Sequence, residues 1–156
     1  MRLKDLIMPA IVLLAAPVAI ADAPASIDDV VAAARDGISF VSDAYVIERQ
    51  AENPDLLLYD VRTEQEFELG RLPGAVWMPR GKIEFDVAEN VRDADAEIII
   101  YCRTGSRGAL ATKALKSQGY RNVSTHEGFK SWADAGGLIE TDFGVLRQVT
   151  RPAAER

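Results

Sequence analysis

Only one cysteine, Cys102, and one histidine, His126, occur in the 156 residues. One of each excludes an intrachain disulfide and a Cys/His zinc cluster, so any sulfur chemistry must proceed without a resolving cysteine from the same chain, and no metal or other cofactor is expected. Positive charge is also in the minority, with 18 Lys and Arg against 24 Asp and Glu and a net charge of −6. That balance gives no electrostatic footprint for nucleic acid and removes DNA and RNA as partners, although a basic pocket inside an acidic protein remains compatible with it. There are no internal repeats, and no Asn-Gly pair joins two β-prone runs in a hairpin. At 48% hydrophobic and 27% charged residues, the composition suits one globular core and would make two cramped.

Long apolar runs are missing too, except at the start. Arg2 and Lys4 precede an apolar stretch from Leu6 to about Ile20, and small residues follow. This is the layout of a secretory signal peptide, with cleavage after Ala21 or Ala23. The run is shorter than the roughly 20 residues needed to span a bilayer and is interrupted by Pro9 and Pro17, so no stable membrane insertion is expected after cleavage. Losing residues 1–21 would move the net charge by one unit, to −7, and leave an acidic, exported protein, periplasmic if the source is bacterial. The expected plan is a signal peptide over 1–21, one domain over 24–140, and a C-terminal extension over 141–156 that lies on the surface or is frayed.

Within the domain, helix and strand signals alternate. Ser26 and Ser42 cap two helices, one stopped by Gly37 and the other followed by Pro54, with a short strand "ISFV" between them. The run "DLLLYDVR" reads as a strand covered on both faces, "TEQEFELG" as a short capped helix, and "AVWMP" as a strand. Residues 81–95 are mixed. "AEIIIY" is the strongest strand signal, "GALATKALKSQG" a helix, "NVST" a strand and "GFKSWADAG" a last helix. Such alternation predicts an α/β fold, a five-stranded parallel sheet with helices on both faces and a ligand site outside the carboxyl ends of the strands.

Cys102 stands at one of those ends, in the stretch Cys102-Arg103-Thr104-Gly105-Ser106-Arg107-Gly108 between the "AEIIIY" strand and a helix expected to begin near Arg107. A helix amino terminus points several unpaired N–H groups at one place and carries about half a positive charge, and thiolates are favoured there. Gly105 lets the loop curl, Thr104 and Ser106 carry hydroxyls, and Arg103 and Arg107 supply charge. The loop therefore reads as a cradle for an anion held at an exposed, reactive sulfur. A buried inert cysteine would not call for it.

From this point the chain resembles the rhodanese (thiosulfate sulfurtransferase) family, in its single-domain exported bacterial form. The likeness is carried by "LLLYDVRTEQEFELGRLPGAVWMP" (56–79), "IIIYCRTGSR" (98–107) and "GYRNVSTHEGFKSWADAGG" (119–137), in the expected order. The chain departs from the family pattern at Arg71, where a histidine is usual, at Glu127-Gly128 in place of Gly-Gly, and at Leu138 in place of a frequent proline. The resemblance implies a rhodanese-like fold and a persulfide relay. Cys102 would take the outer sulfur of thiosulfate or a similar donor, the loop from Arg103 to Arg107 would hold the persulfide, and a thiophilic acceptor such as cyanide or a thiol would collect it. It also implies that Asp60 holds neighbouring loop structure.

Other residues are assigned blander roles. Arg62 and Glu66, four apart, would pair along the short helix. His126 follows the last strand without any mark of a base and is expected on the surface or in packing. Trp77 and Trp132 are expected in the core, and Glu84, Asp86 and Glu89 on a solvated face. Two rival functions stand beside the relay. One is a non-catalytic sulfur carrier or partner-binding module. The other is a cysteine phosphatase or arsenate reductase, which would need five residues between the cysteine and the arginine where Cys102 and Arg107 have four.

Overall fold

The computed structural model describes residues 24–147. The expected signal peptide at 1–21 and the last nine residues lie outside the described residues. Helix α1 (Ile27–Arg35) starts where the Ser26 hydroxyl accepts the Asp29 amide, and α2 (Asp43–Glu52) where Ser42 accepts the Tyr45 amide. Short β1 (Phe40–Val41) lies between them. After β2 (Leu57–Asp60), Thr63 and Glu66 form a reciprocal capping box that starts α3 (Glu64–Glu68). Then follow β3 (Val76–Trp77), α4 (Ile83–Asn90), β4 (Ile98–Tyr101), α5 (Ser106–Ser117), β5 (Val123–His126) and α6 (Phe129–Asp134).

The five strands form one parallel sheet in the order β1-β5-β4-β2-β3, the α/β class expected. Central β4 is buried along its whole length, and its side chains alternate between the two faces. Ile98 and Ile100 pack with Ile83 and Val87 of α4 and Leu115 of α5, whereas Ile99 and Tyr101 pack with Val46 of α2 and Trp132 of α6. The period carries one step further to Cys102, which joins the Ile98 and Ile100 side. Thus the cysteine is delivered under α5, and the carboxyl ends of β2, β4 and β5 bring Asp60, Cys102 and His126 to one edge of the sheet.

One expectation about organisation is corrected. Residues 81–95, read as mixed, contain α4, which has no side-chain cap and anchors by Ile83 and Val87 while Phe85 on the same helix is 75% exposed. On this helix Glu84 binds Arg80 and is half-buried, so only part of the expected acidic face is solvated. The segment from residue 141, expected as a surface extension or frayed, begins in a hairpin, β6 (Leu138–Thr141) with β7 (Gly144–Arg147), whose second strand is exposed. No Asn-Gly marks its turn; the Thr141 hydroxyl organises it by accepting the Phe143 amide and donating to the Gly144 carbonyl. Arg71 docks it, through paired backbone bonds to Glu140 and ion pairs to Glu140 at 3.0 Å and Asp142 at 2.9 Å.

Because those contacts tie the hairpin to the domain without filling its core, Arg71→Ala is expected to speed amide exchange across Leu138–Thr141. The midpoint of thermal unfolding should change little. Exchange measured by NMR on both proteins checks this.

Candidate functional site

Gly105 caps α5 in the left-handed region at φ 82°, and a β-carbon there would lie 3.2 Å from the Phe40 ring. The helix therefore begins at Ser106, one residue earlier than expected, and its first turn hangs over the Cys102 loop. Three carbonyls of this loop are taken. Cys102 O accepts from Phe129 N–H at 2.8 Å, Arg103 O from Lys130 N–H at 3.0 Å, and Gly105 O from Ala109 N–H at 2.8 Å. The amides are free: from Arg103 through Gly108, none has a protein acceptor among the described residues. Helix geometry leaves the amides of Ser106, Arg107 and Gly108 unpaired, and the loop adds those of Arg103, Thr104 and Gly105. Six consecutive unpaired donors in the loop that follows Cys102, three of them at a helix amino terminus, suit an anion.

Cys102 itself is 1% exposed, a correction to the expected exposed thiol. Continuing the inward face of β4 buries it, with Ile100 and Ala111 in the same cluster. The surroundings are nevertheless polar on one side. Arg107 donates to both Glu66 oxygens, at 2.9 and 3.1 Å. Glu66 chiefly, and Cys102 to a smaller degree, hold the Arg107 guanidinium above its usual value. In return Arg107, together with the Thr63 amide, holds the Glu66 carboxyl at about 2. Beside the loop opens a cleft of about 220 Å³ walled by Arg62, Glu66, Leu69, Gly70, Arg103 and Phe129.

The expected pairing of Arg62 with Glu66 is not formed. Arg62 turns back to Asp60, whose carboxylate is fully buried and accepts the Arg62 backbone N–H, Nε and Nη2, the last at 2.6 Å. The spare Nη2 capacity goes to the Gly70 carbonyl, and the guanidinium lies 4.2 Å from the centre of the Phe129 ring. A buried arginine needs a charge partner closer than the next helical turn can supply, and Asp60 two residues back provides it. Glu66 is thereby left to Arg107. Asp60 is thereby linked, by way of Arg62, to the Gly70 carbonyl. Trp77, expected in the core, is half-buried and donates its Nε1–H to the Arg62 carbonyl, while Trp132 is buried as expected.

Of the loop residues predicted from sequence, Cys102, Gly105, Ser106 and Arg107 come together at the helix entry, and Thr104 and Arg103 form an exposed rim. Arg103 takes part in no ion pair among the described residues. The sequence reading missed Leu69, Phe129 and the second role of Glu66. The Thr63-x-x-Glu66 capping signature was the available signal for Glu66, since it fixes that carboxylate at the first turn of α3.

A parallel α/β sheet that places a lone thiol beneath a row of unpaired amides defines a class, the thiol-centred anion sites built at a strand-to-helix turn. Residues 43–135 match the family described as "Rhodanese-like domain", and the chain belongs to it. A sulfurtransferase of Allochromatium vinosum is 37% identical over 90 residues, which cover 57% of this chain and 82% of that protein. The thiosulfate:glutathione sulfurtransferase of Saccharomyces cerevisiae is 30% identical over 97 residues, 54% of this chain and 70% of that one. Among solved structures, a Rhodopseudomonas palustris protein described as a possible tyrosine phosphatase is 30% identical with a TM-score of 0.65, over 81% of this chain and 100% of its own.

The Glu66–Arg107 pair generates a pH signature. Glu66 titrates near 2 in the folded protein against an ordinary 4.5, so its contribution is fully present above about pH 4.5 and is lost as pH falls through 2. Glu66→Gln is expected to lower stability at neutral pH by about 1–2 kcal/mol, reduced by solvent screening at this half-buried position. Urea unfolding as a function of pH should show the two proteins converging on acidification.

Proposed function

We propose that the protein is a sulfurtransferase working through a persulfide on Cys102. The Cys102 thiolate attacks the outer sulfur of thiosulfate or a similar donor; a new S–S bond forms, the donor's own S–S bond breaks, and sulfite departs with that electron pair. Cyanide or a thiolate then attacks the terminal sulfur, and the Cys102 thiolate is regenerated. Charge is conserved at each step, so neither an oxidant nor a resolving cysteine is required. The observation that carries this reading is the set of six amides, from Arg103 to Gly108, that have no acceptor of their own. They supply fixed donors for the anionic terminal sulfur as an oxyanion hole does for oxygen.

Arg103, exposed on the rim and free of carboxylate partners among the described residues, suits a dianionic donor. Because Arg107 is already neutralised by Glu66, it acts mainly as a clamp on the loop. The donor reaches the sulfur from the Arg103 and Leu69 side of the cleft, where both side chains are exposed. The yeast relative's name supports glutathione or another small thiol as acceptor. The opening sequence, with its basic start and Leu6 to Ile20 run, supports export to a periplasm and removal of the leader.

The description of the Rhodopseudomonas palustris structure favours one second reading, a phosphatase. Four residues separate Cys102 from Arg107, a ring better sized for one sulfur atom than for a tetrahedral phosphate. Phosphate release from p-nitrophenyl phosphate as fast as thiocyanate formation would favour it over sulfur transfer.

In a thiosulfate:cyanide assay the wild type is expected to form thiocyanate and Cys102→Ser to form none above background. Arg103→Ala should raise KM for thiosulfate about tenfold, the loss of one charge-assisted contact, with a smaller change in kcat. Equal turnover by wild type and Cys102→Ser, or silence of both with several donors, contradicts the enzymatic reading and leaves a binding or carrier module.

A further inference from the structure

His126 is fully buried at the end of β5, and nothing in the persulfide relay uses it. Both ring nitrogens are occupied. Nε2 lies 2.6 Å from Asp43 Oδ1, and Nδ1 accepts the Gly128 N–H at 3.1 Å. An accepting Nδ1 carries no proton, so the proton is on Nε2 and is donated to Asp43. The Trp132 ring meets the imidazole edge-on, with centroids 6.0 Å apart at 77°, and closes a third side. The ring is thereby locked in one orientation and one tautomer.

What Nδ1 holds is a residue packed against the cysteine loop. Gly128 adopts φ 114° and ψ 166°, a region essentially reserved for glycine. A β-carbon there would stand 2.6 Å from Arg103 O and 2.8 Å from Thr104 N, so the Gly128 backbone rests on the peptide joining Arg103 to Thr104. The next two amides, of Phe129 and Lys130, hold the carbonyls of Cys102 and Arg103. The side chain, the glycine and the loop form one contiguous set of contacts from Asp43 to Cys102.

We infer that His126 is a positioning residue for the Cys102 loop, its Nδ1 fixing Gly128 so that the amides of Phe129 and Lys130 meet the loop carbonyls. The inference rests on the Cys102 persulfide reading and adds to it a contact made through backbone alone. Loss of the Nδ1 acceptor leaves a buried amide unsatisfied and lets the 127–130 turn choose another conformation; the loop then loses the alignment that sulfur transfer requires.

His126→Asn and His126→Gln separate this role from packing. Asn carries an oxygen close to the place of Nδ1 and keeps an acceptor for Gly128, whereas Gln extends toward Asp43 and leaves the Gly128 amide bare. The expected result is that Asn keeps a kcat within about threefold of wild type, while Gln loses about tenfold or more at similar thermal stability, with KM for thiosulfate unchanged in both. Alkylation of Cys102 by iodoacetamide should follow the same order, and because it needs no sulfur donor it reads the loop even if the relay reading fails. Equal kcat and equal alkylation rates in the two variants overturn the inference. NMR of the isotope-labelled wild type covers the case in which neither variant folds: nitrogen–nitrogen coupling across a Gly128-to-His126 hydrogen bond, with the proton on Nε2, supports the role, and its absence overturns it.

Discussion

Two backbone hydrogen bonds, from Phe129 N–H to Cys102 O and from Lys130 N–H to Arg103 O, set the direction of the loop on which the site depends. A strand-to-helix turn has to dispose of its carbonyls and its amides separately. Here the carbonyls of Cys102 and Arg103 are turned toward the start of α6, and the amides from Arg103 to Gly108 are left without protein partners among the described residues. Each such bond contributes only about 0.5–1.5 kcal/mol net, so their importance is geometric. Cys102 arrives under the same turn because it continues the inward face of Ile98 and Ile100, which puts the sulfur beneath α5.

Charge around the site is mostly committed. Arg62 is bound to Asp60, Arg107 to Glu66, and Arg71 to Glu140 and Asp142. The first pair is buried, and losing either partner would strand a charge in the interior, at about 3–5 kcal/mol. The second grips the cysteine loop from α3, and the third secures the hairpin. Arg103 is exposed and takes part in no ion pair among the described residues, which leaves a local positive charge at the mouth of an otherwise acidic protein.

Much of this was legible in the chain. Strand β4 was plain in "AEIIIY", the capping signature Thr63-x-x-Glu66 marked α3, and a loop with Gly105 between two arginines marked the turn after Cys102. The illegible parts depend on neighbours distant in sequence. The burial of Cys102 depends on which face of β4 it continues, and the partner of Glu66 on the approach of α5, forty-one residues away. His126 looked bland because its two partners, Asp43 and Gly128, belong to different elements and only the folded sheet brings one of them near. The hairpin escaped notice because its turn relies on the Thr141 hydroxyl and its docking on Arg71, a position that had seemed merely a departure from the family's histidine.

The account stands most directly on whether a second sulfur resides on Cys102. Intact mass of the purified protein after exposure to thiosulfate is predicted to increase by one sulfur atom, to return to its starting value on addition of cyanide, and to remain unchanged in Cys102→Ser. An unchanged mass in the wild type across several sulfane donors, with the thiol still free to alkylation, would contradict it.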